Sequence, residues 1–447
     1  TRASLADFFG RDLQELDKNR VTEGYVYRDW ERFRLSFGAR YEEDPSLGHG
    51  NASHDTDTLV QQIPGLNAYL YKGQMLPGLP LEVEAELNSA YMYRAKGTHG
   101  LRTELYPRVS LPLDIKYATL LATGGLRQTF YSNGPIKGGR LPNDQLPRWE
   151  RGGGERRTIP DFDLTAFTQA SRVWNLSHDA PLQATPDNAG RSRWAAVRHM
   201  LQPRLQYSWI PNVDQTHNPY YLEEDRLLPT NRMTFTLDNI FTVRRETVVA
   251  DPVPEGQKPA SATLTPSYFD VARLRLGTGY DLGEAGRKRH LELYSRRPML
   301  DLMADMSIAP APWIGFSGKV YISPYTGDVT RSDQTVTLSN ARWGSWSVGH
   351  SSRNWQYDYA RKVQRDSLWD IQFENSLSLL TNTVNLHLFP RWNVGYYSST
   401  NLRDGETYER RVSLMYSHQC FNLVGQYVDK GRERSYRFSI ELLGIND

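Results

Sequence analysis

Hydrophobic and polar residues alternate along most of the chain, from about Tyr25 to the C-terminus, and polar segments with Gly and Pro interrupt the alternation. Successive side chains of a β-strand point to opposite faces, so this period predicts many short strands. We count roughly 18–20 candidate strands of about ten residues each. The exception lies at Ser4–Leu16, where apolar residues recur at helical spacing and predict a short helical turn in a loop.

The last predicted strand shows the clearest alternation. Its apolar residues are Tyr436, Phe438, Ile440 and Leu442, and its polar residues are Arg437, Ser439 and Glu441. A slip of this strand by one residue in its pairing register would turn the charged side chains toward the apolar side. If that side faces lipid, a basic residue near the bilayer midplane costs about 2–4 kcal/mol. The same alternation recurs at 204–209, 301–308, 314–322, 411–417 and 421–427.

The predicted connectors are of two kinds. Pro390 and Arg391 form a tight turn, whereas residues 133–160, 178–191 and 250–265 form long polar loops. Short turns on one side and long loops on the other are typical of outer-membrane β-barrels, whose tilted strands cross the bilayer in about ten residues. A soluble β-sandwich also has unequal loops, so the pattern favours a barrel without excluding a sandwich.

Composition narrows the class of protein. The mean hydropathy is −0.61, and no run of about 20 apolar residues is present, which argues against a protein that spans membranes with helices. Aromatic residues make up 12% of the chain, as expected for the interfacial girdles of a barrel or for another all-β protein. A net charge of +2 gives no global basic field, so we expect no nucleic-acid partner.

The chain has few candidates for chemistry. Its ten His residues show no metal-binding spacing, and its one cysteine cannot form a Cys zinc site. Glu223, Glu224 and Asp225 are predicted to lie solvated in a polar loop. Basic residues at positions 148, 151, 156 and 157 are predicted in another loop, where they contact either solvent or lipid phosphates. We therefore predict no catalytic residues, no cofactor and no metal site.

A central pattern resembles one family. Residues 198–234 carry an R-H-x-L-x-P-x-L-x-Y-x-x-I-P strand, then an acidic D-R pair, then an N-R-x-T strand start. This order and spacing resemble the LPS-assembly protein LptD of the Gram-negative outer membrane. The matching residues include Arg198, His199, Pro203, Tyr207, Pro211, Asp225, Arg226 and Asn231.

Two further segments fit the same family. Ser4, Asp7, Phe8, Phe9 and Asp12 resemble its S-x-x-D-[FY]-F-x-D segment near the start. The end of the chain, with Cys420 and an F-x-I-E-L-x-G finish, resembles its terminal hairpin. Weaker similarity covers most of the sequence between these segments.

The resemblance implies a large antiparallel transmembrane β-barrel over residues 1–447. It implies a barrel that receives lipopolysaccharide from a periplasmic bridge protein, holds an LptE-like lipoprotein plug in its lumen, and releases lipopolysaccharide into the outer leaflet. The family's exit is a lateral opening between the first and last strands, so Tyr436, Phe438, Ile440 and Leu442 would belong to the terminal gate strand. We expect the family's N-terminal periplasmic domain and first strands to precede this chain.

The resemblance also gives Cys420 a possible partner. Family members often carry two adjacent cysteines here, bonded to the periplasmic domain, whereas this chain has Gln419 before Cys420 and Phe421 after it. At most one such disulfide can form, and an unpaired thiol is the alternative. The main rival function is an outer-membrane porin or plugged nutrient transporter. A barrel enzyme and a soluble β-rich binding protein are further alternatives, although no nucleophile–base pair stands out.

Overall fold

The computed structural model describes ten stretches of the chain. These are residues 20–43, 59–74, 78–94, 98–135, 149–176, 182–250, 261–288, 295–354, 377–431 and 434–442. The helical turn predicted at Ser4–Leu16, and with it the family-like segment at residues 4–12, lies outside the described residues.

The described residues form 20 strands. Their bounds are β1 Arg20–Asp29, β2 Phe33–Glu43, β3 Gln61–Gln74, β4 Glu82–Tyr93, β5 Gly100–Ile115, β6 Ala118–Pro135, β7 Trp149–Phe167, β8 Ala170–Asn175, β9 Ser192–Ile210, β10 Thr230–Ala250, β11 Ala262–Asp281, β12 Leu302–Ala311, β13 Ile314–Ile322, β14 Val329–Asn340, β15 Gly344–Arg353, β16 Leu377–Phe389, β17 Trp392–Asn401, β18 Thr407–Ser417, β19 Phe421–Asp429 and β20 Arg434–Leu442. Short helical turns lie at Pro186–Asn188, Glu223–Asp225 and Leu282–Ala285.

All 20 strands belong to one sheet, and the residue registers of the pairs are antiparallel. The predicted all-β, antiparallel fold of roughly 18–20 strands is therefore confirmed. No helix in the described part of the chain combines the length and the apolar character needed to cross a membrane.

The chain divides by its contacts into two units. Unit 1 comprises residues 1–166 and 206–232, and unit 2 comprises residues 167–205 and 233–447. Strands β1 to β6 pair consecutively within unit 1. Strands β11 to β20 pair consecutively within unit 2, and β8 pairs with β9 there.

Strand β5 shows how the sequence separates the two faces of the sheet in unit 1. Leu101, Leu105 and Val109 project from one face, where each is at least 40% exposed. The alternate residues Arg102 and Glu104 are buried on the opposite face. Neighbouring strands present polar residues to that opposite face, because Glu84 lies opposite Arg108 and Asn88 lies opposite Glu104. Unit 1 thus has one apolar face open to its surroundings and one face lined with charged and polar groups.

Strand β20 exposes apolar residues in unit 2. It pairs with β19 from Phe421 opposite Leu442 to Asp429 opposite Arg434. Tyr436, Phe438 and Ile440 are 74%, 87% and 69% exposed. The predicted last strand is confirmed at Arg434–Leu442, and its polar residues Arg437 and Ser439 are exposed as well.

Several strands are longer than predicted, and they shorten the predicted loops. The prediction of a loop at 133–160 was wrong at both ends, since β6 reaches Pro135 and β7 begins at Trp149. Similarly, β10 reaches Ala250 and β11 begins at Ala262, which takes residues from the loop predicted at 250–265. Gly and Pro suggested a loop, but β7 contains Gly152–Gly154 and Pro160 within its 19 residues. The tight turn at Pro390–Arg391 is confirmed.

Candidate functional site

A loop at residues 211–229, between β9 and β10, packs on the polar face of unit 1. We call it the 211–229 loop. Asp225 lies in its helical turn and is fully buried, with 0% of its side chain exposed. The prediction that Glu223, Glu224 and Asp225 form a solvated acidic group was therefore wrong for Asp225, although Glu224 is exposed. The reason is that β5 and β6 supply charged and hydrogen-bonding partners for this carboxylate.

The Asp225 carboxylate joins the loop to the sheet. Its Oδ1 accepts a hydrogen bond from Arg102 Nε at 2.8 Å and another from the Tyr131 hydroxyl at 2.7 Å. Its Oδ2 accepts the backbone N–H groups of Tyr221 and Leu222 at 2.9 and 3.0 Å. One oxygen therefore binds strands β5 and β6, while the other fixes the loop's own backbone.

Arg157 of β7 makes a second attachment. Its Nη1 donates to the side-chain oxygen of Gln215 at 3.1 Å and to the carbonyl oxygen of Glu224 at 2.9 Å. Its Nη2 donates to Thr129 at 3.0 Å. The sequence interpretation placed Arg157 in an exposed loop, which was wrong because it lies within a strand and its side chain is 0% exposed.

Of the other basic residues of that predicted loop, Arg156 is exposed on β7. The backbone of Arg151 also lies in β7. Arg148 lies outside the described residues.

Glu104 connects the two attachments. Its carboxylate accepts hydrogen bonds from Arg102 at 2.7 Å and from Arg127 at 2.5 Å, and it lies 3.4 Å from Arg157 Nη2. Three guanidinium groups thus face the two carboxylates of Glu104 and Asp225. Because a buried charge without a partner is costly, the cluster depends on each member keeping its counter-charge. We call Arg102, Glu104, Arg127, Arg157 and Asp225 the buried charge cluster.

Burial and charge act in opposite directions on the acid in the loop. Burial alone would raise the pKa of the Asp225 carboxyl, but the Arg102 charge and the hydrogen bonds from Leu222 N–H, Tyr131 and Arg102 lower it below its ordinary value of 3.8. Burial raises the pKa of the neighbouring Tyr221 phenol to about 12. Asp225 is thus a carboxylate at neutral pH, and Tyr221 is a neutral phenol.

A polar cavity of 390 Å³ lies beside the cluster. The loop contributes Leu222 and Glu224 to its wall, and Arg102 forms part of the sheet side. Polar residues of β2 to β4 complete it, including Arg40, Gln62, Asn67 and Asn88. Such a set of charged groups and amides offers hydrogen bonds to a polar ligand, and Ala90, Met92 and Leu222 add apolar surface to the lining.

The family-pattern residues fall into separate contacts. In unit 1 the Tyr207 hydroxyl donates to Asn231 Oδ1 at 3.1 Å, which joins β9 to the start of β10. Arg226 donates to the carbonyl oxygen of Asn218 at 2.7 Å, so it supports the loop that contains Asp225. Pro211 is the first residue of that loop.

The other family-pattern residues lie in unit 2. Arg198 Nη2 lies 3.4 Å from the Thr242 hydroxyl. The His199 ring stacks on Phe241 with a centroid distance of 4.4 Å, and its Nε2 lies 3.2 Å from Asn239 Oδ1. The Pro203 carbonyl oxygen accepts the Thr168 N–H. These contacts fit a structural role for each residue in the sheet.

Cys420 lies exposed in the turn between β18 and β19, and it has no second cysteine within residues 1–447 to pair with. Its backbone N–H is 3.4 Å from His418 Nδ1. The disulfide implied by the resemblance remains a prediction.

Sequence reasoning missed most of the buried charge cluster. The available signal was the spacing of Arg102 and Glu104, since charges two residues apart in a strand share one face. Nothing in the sequence showed that Arg157 and Asp225, 68 positions apart, would meet at that face. No group of three or more His, Cys, Asp or Glu residues within the described ranges is arranged to hold a metal ion.

Comparison with known proteins gives one strong match. Residues 8–400 match the family described as LPS transport system D, LptD. No curated protein matches the chain. Among solved structures, a double mutant of the ferric enterobactin receptor PfeA from Pseudomonas aeruginosa is similar at 10% identity with a TM-score of 0.40. That similarity covers 92% of this chain and 65% of the receptor.

The family match includes the buried charge cluster and the whole 198–234 pattern, and it extends over most of the sequence. LptD is a family of outer-membrane β-barrel components of lipopolysaccharide transport and assembly, and it is not an enzyme family. The resemblance inferred from the sequence is confirmed, and this chain belongs to the LptD family.

Proposed function

We propose that this chain is part of an outer-membrane β-barrel that receives lipopolysaccharide from the periplasm and inserts it into the outer leaflet. The observation that carries the proposal is the family match over residues 8–400. The faces of the sheet in unit 1 support it, because an amphiphile needs a polar path for its sugars beside an apolar surface for its acyl chains. Residues 1–447 would then form one barrel domain.

The proposed path leads through the polar interior to a lateral opening beside the last strand, β20. The exposed apolar residues Tyr436, Phe438 and Ile440 suit the acyl-chain side of such an opening. Leu442 pairs with Phe421 at the end of the same strand. An LptE-like lipoprotein would occupy the lumen, and a periplasmic bridge protein would deliver substrate through an N-terminal domain. Cys420, in a turn, would form at most one disulfide to that domain.

Purification of the full-length parent protein from outer membranes in mild detergent tests this proposal. We expect mass spectrometry to detect lipopolysaccharide and one stoichiometric small lipoprotein with the barrel. A matched sample in which the lipoprotein is depleted should lose the plug and conduct ions in a planar bilayer. Recovery of the barrel alone, with open-pore conductance from the start, would instead identify a porin.

A further inference from the structure

The 211–229 loop is held together by its own hydrogen bonds. Gln215 binds both backbone groups of Leu227, with its Nε2 2.8 Å from the carbonyl oxygen and its Oε1 3.0 Å from the N–H. Arg226 binds the carbonyl oxygen of Asn218, and Asp225 binds two loop N–H groups. The two halves of the loop are therefore tied to each other without help from the sheet.

The polar attachments of the loop to the sheet are few and concentrated. Asp225 contacts Arg102 and Tyr131, and Arg157 contacts Gln215 and Glu224. Arg94, just after β4, donates to the Tyr220 carbonyl oxygen at 2.9 Å. These bonds come from a small number of side chains, and beside them Tyr221 packs with Ala90, Met92 and Tyr131.

Several polar groups at the loop and its attachment to the sheet are buried without a hydrogen-bond partner. Within the described part of the chain, the Tyr221 hydroxyl, Asn218 Nδ2 and Arg94 Nε are buried without a hydrogen-bond partner. Burial also lowers the pKa of the Arg94 guanidinium. An unpartnered buried donor loses its hydration without replacement, so opening the loop would return water to these groups. That gain offsets part of the cost of breaking the Asp225 contacts.

The loop also lines the polar cavity. Leu222 and Glu224 of the loop and Arg102 of the sheet all line the 390 Å³ cavity. Arg102 therefore belongs both to the attachment of the loop and to the lining of the cavity. Detachment of Asp225 would enlarge this cavity and free the Arg102 guanidinium to bind a ligand in the cavity.

We infer that the 211–229 loop is a lid over the polar cavity of unit 1, which opens as one piece and is held shut by Asp225 on Arg102 and Tyr131. This inference rests on the proposed function, because a lid regulates transport only where a substrate passes. It adds a movable element, and a residue that controls it, to the polar path.

Thiol labelling of the full-length protein in outer membranes tests the lid. Met92 is 3% exposed and packs with Ala90, Tyr131 and Tyr221, so Met92→Cys reports opening of the loop. Cys420→Ser removes the one cysteine of residues 1–447, and the same protein without Met92→Cys gives the background labelling. We expect slow reaction with a water-soluble maleimide when Asp225 is intact. Asp225→Asn should accelerate the reaction about tenfold or more, since a hydrogen bond to a charged group is lost.

Ser110→Cys provides the matched control. Ser110 is 2% exposed and lies on β5, eight residues beyond Arg102, which corresponds to about 26 Å. Its labelling should not change with Asp225→Asn. If Asp225→Asn prevents folding, Tyr131→Phe removes one of the two sheet contacts and should accelerate Met92→Cys labelling about fivefold.

Equal labelling of Met92→Cys with and without the Asp225 or Tyr131 substitution would overturn the lid. Parallel acceleration at Met92→Cys and Ser110→Cys would overturn it too, because it would indicate general loosening of the sheet. Labelling measures opening without any substrate. Evidence against lipopolysaccharide transport would therefore not change the labelling result. Failure of the proposed function and failure of the lid can thus be distinguished.

Discussion

Replacement of Asp225 by Ala should detach the 211–229 loop while the sheet remains folded. The substitution removes the carboxylate that accepts hydrogen bonds from Arg102, Tyr131 and the N–H groups of Tyr221 and Leu222. It leaves Arg102, whose side chain is only 3% exposed, with Glu104 as its remaining acidic partner.

The size of the effect follows from burial. Removing one partner of a buried ion pair costs about 3–5 kcal/mol, because the remaining charge is dehydrated without compensation. The loop can avoid this cost by opening, since water then reaches Arg102. The loss of stability should thus appear as local opening of the loop, and the global free energy of unfolding should fall by less than the full amount.

Hydrogen exchange measured by mass spectrometry on peptides from residues 216–224 detects this opening. At about 1.4 kcal/mol per factor of ten, a loss of about 3 kcal/mol lowers protection of the Tyr221 and Leu222 amides roughly a hundredfold. Peptides from β12 to β18 should exchange as before.

Asp214 provides the matched control within the same loop. Its side chain is 66% exposed, and its Oδ1 accepts hydrogen bonds from the N–H and hydroxyl of Thr216, which lower the pKa of Asp214. Its Oδ2 lies 3.9 Å from Nε2 of the exposed His217. Asp214→Asn should change stability by no more than about 0.5 kcal/mol. Unchanged protection at residues 216–224 in Asp225→Ala, or an equal loss in both variants, would refute the reasoning.

Three further predictions concern pH, strand packing and the apolar face. The pKa of Asp225 in the folded protein lies below 3.8, so the stabilisation by this carboxylate is complete above the ordinary carboxyl range and is lost as pH falls through the lower folded pKa. Protection of the loop amides from hydrogen exchange should therefore be constant from about pH 8 to 5 and drop below about pH 4. A drop near neutral pH would contradict this prediction. Gly38→Ala should destabilise the β1–β2 pair by about 1–3 kcal/mol, because the new Cβ would lie 2.5 Å from the Gly24 carbonyl oxygen. In the control Gly24→Ala the new Cβ meets nothing within 4 Å. Denaturant titrations should therefore show a lower free energy of unfolding for Gly38→Ala than for Gly24→Ala. Phe438→Arg should lower the free energy of unfolding in lipid vesicles by about 2–4 kcal/mol if the residue lies near the bilayer midplane. Ser439→Arg should lower it by less. Equal losses in the two variants would show that Phe438 does not face lipid.

Strand periodicity predicted the fold well for a physical reason. When one face of a strand is apolar and the other polar, a one-residue slip is costly, so the sequence of β20 determines which residues share a face. The same pattern underestimated strand length. Strands such as β7 and β10 continue through Gly, Pro and charged residues, because pairing with neighbouring strands outweighs local propensity.

The candidate site was predicted only in part. The family pattern includes Asp225 and Arg226, but the residues alone suggested a solvated acidic loop. Burial of Asp225 depends on Arg102 and Tyr131, which are 123 and 94 positions away in the sequence. Such long-range pairs leave no periodic signal, so the sequence could not identify the buried charge cluster as one unit.

The most direct test of the central claim is surface delivery of newly made lipopolysaccharide after depletion of the full-length parent protein. Pulse-labelled lipopolysaccharide should stop reaching the outer leaflet, as detected by a surface-acting modifying enzyme, and should accumulate inside the cell before other outer-membrane components change. Expression of the parent protein should restore delivery. Normal delivery during complete depletion would contradict the account.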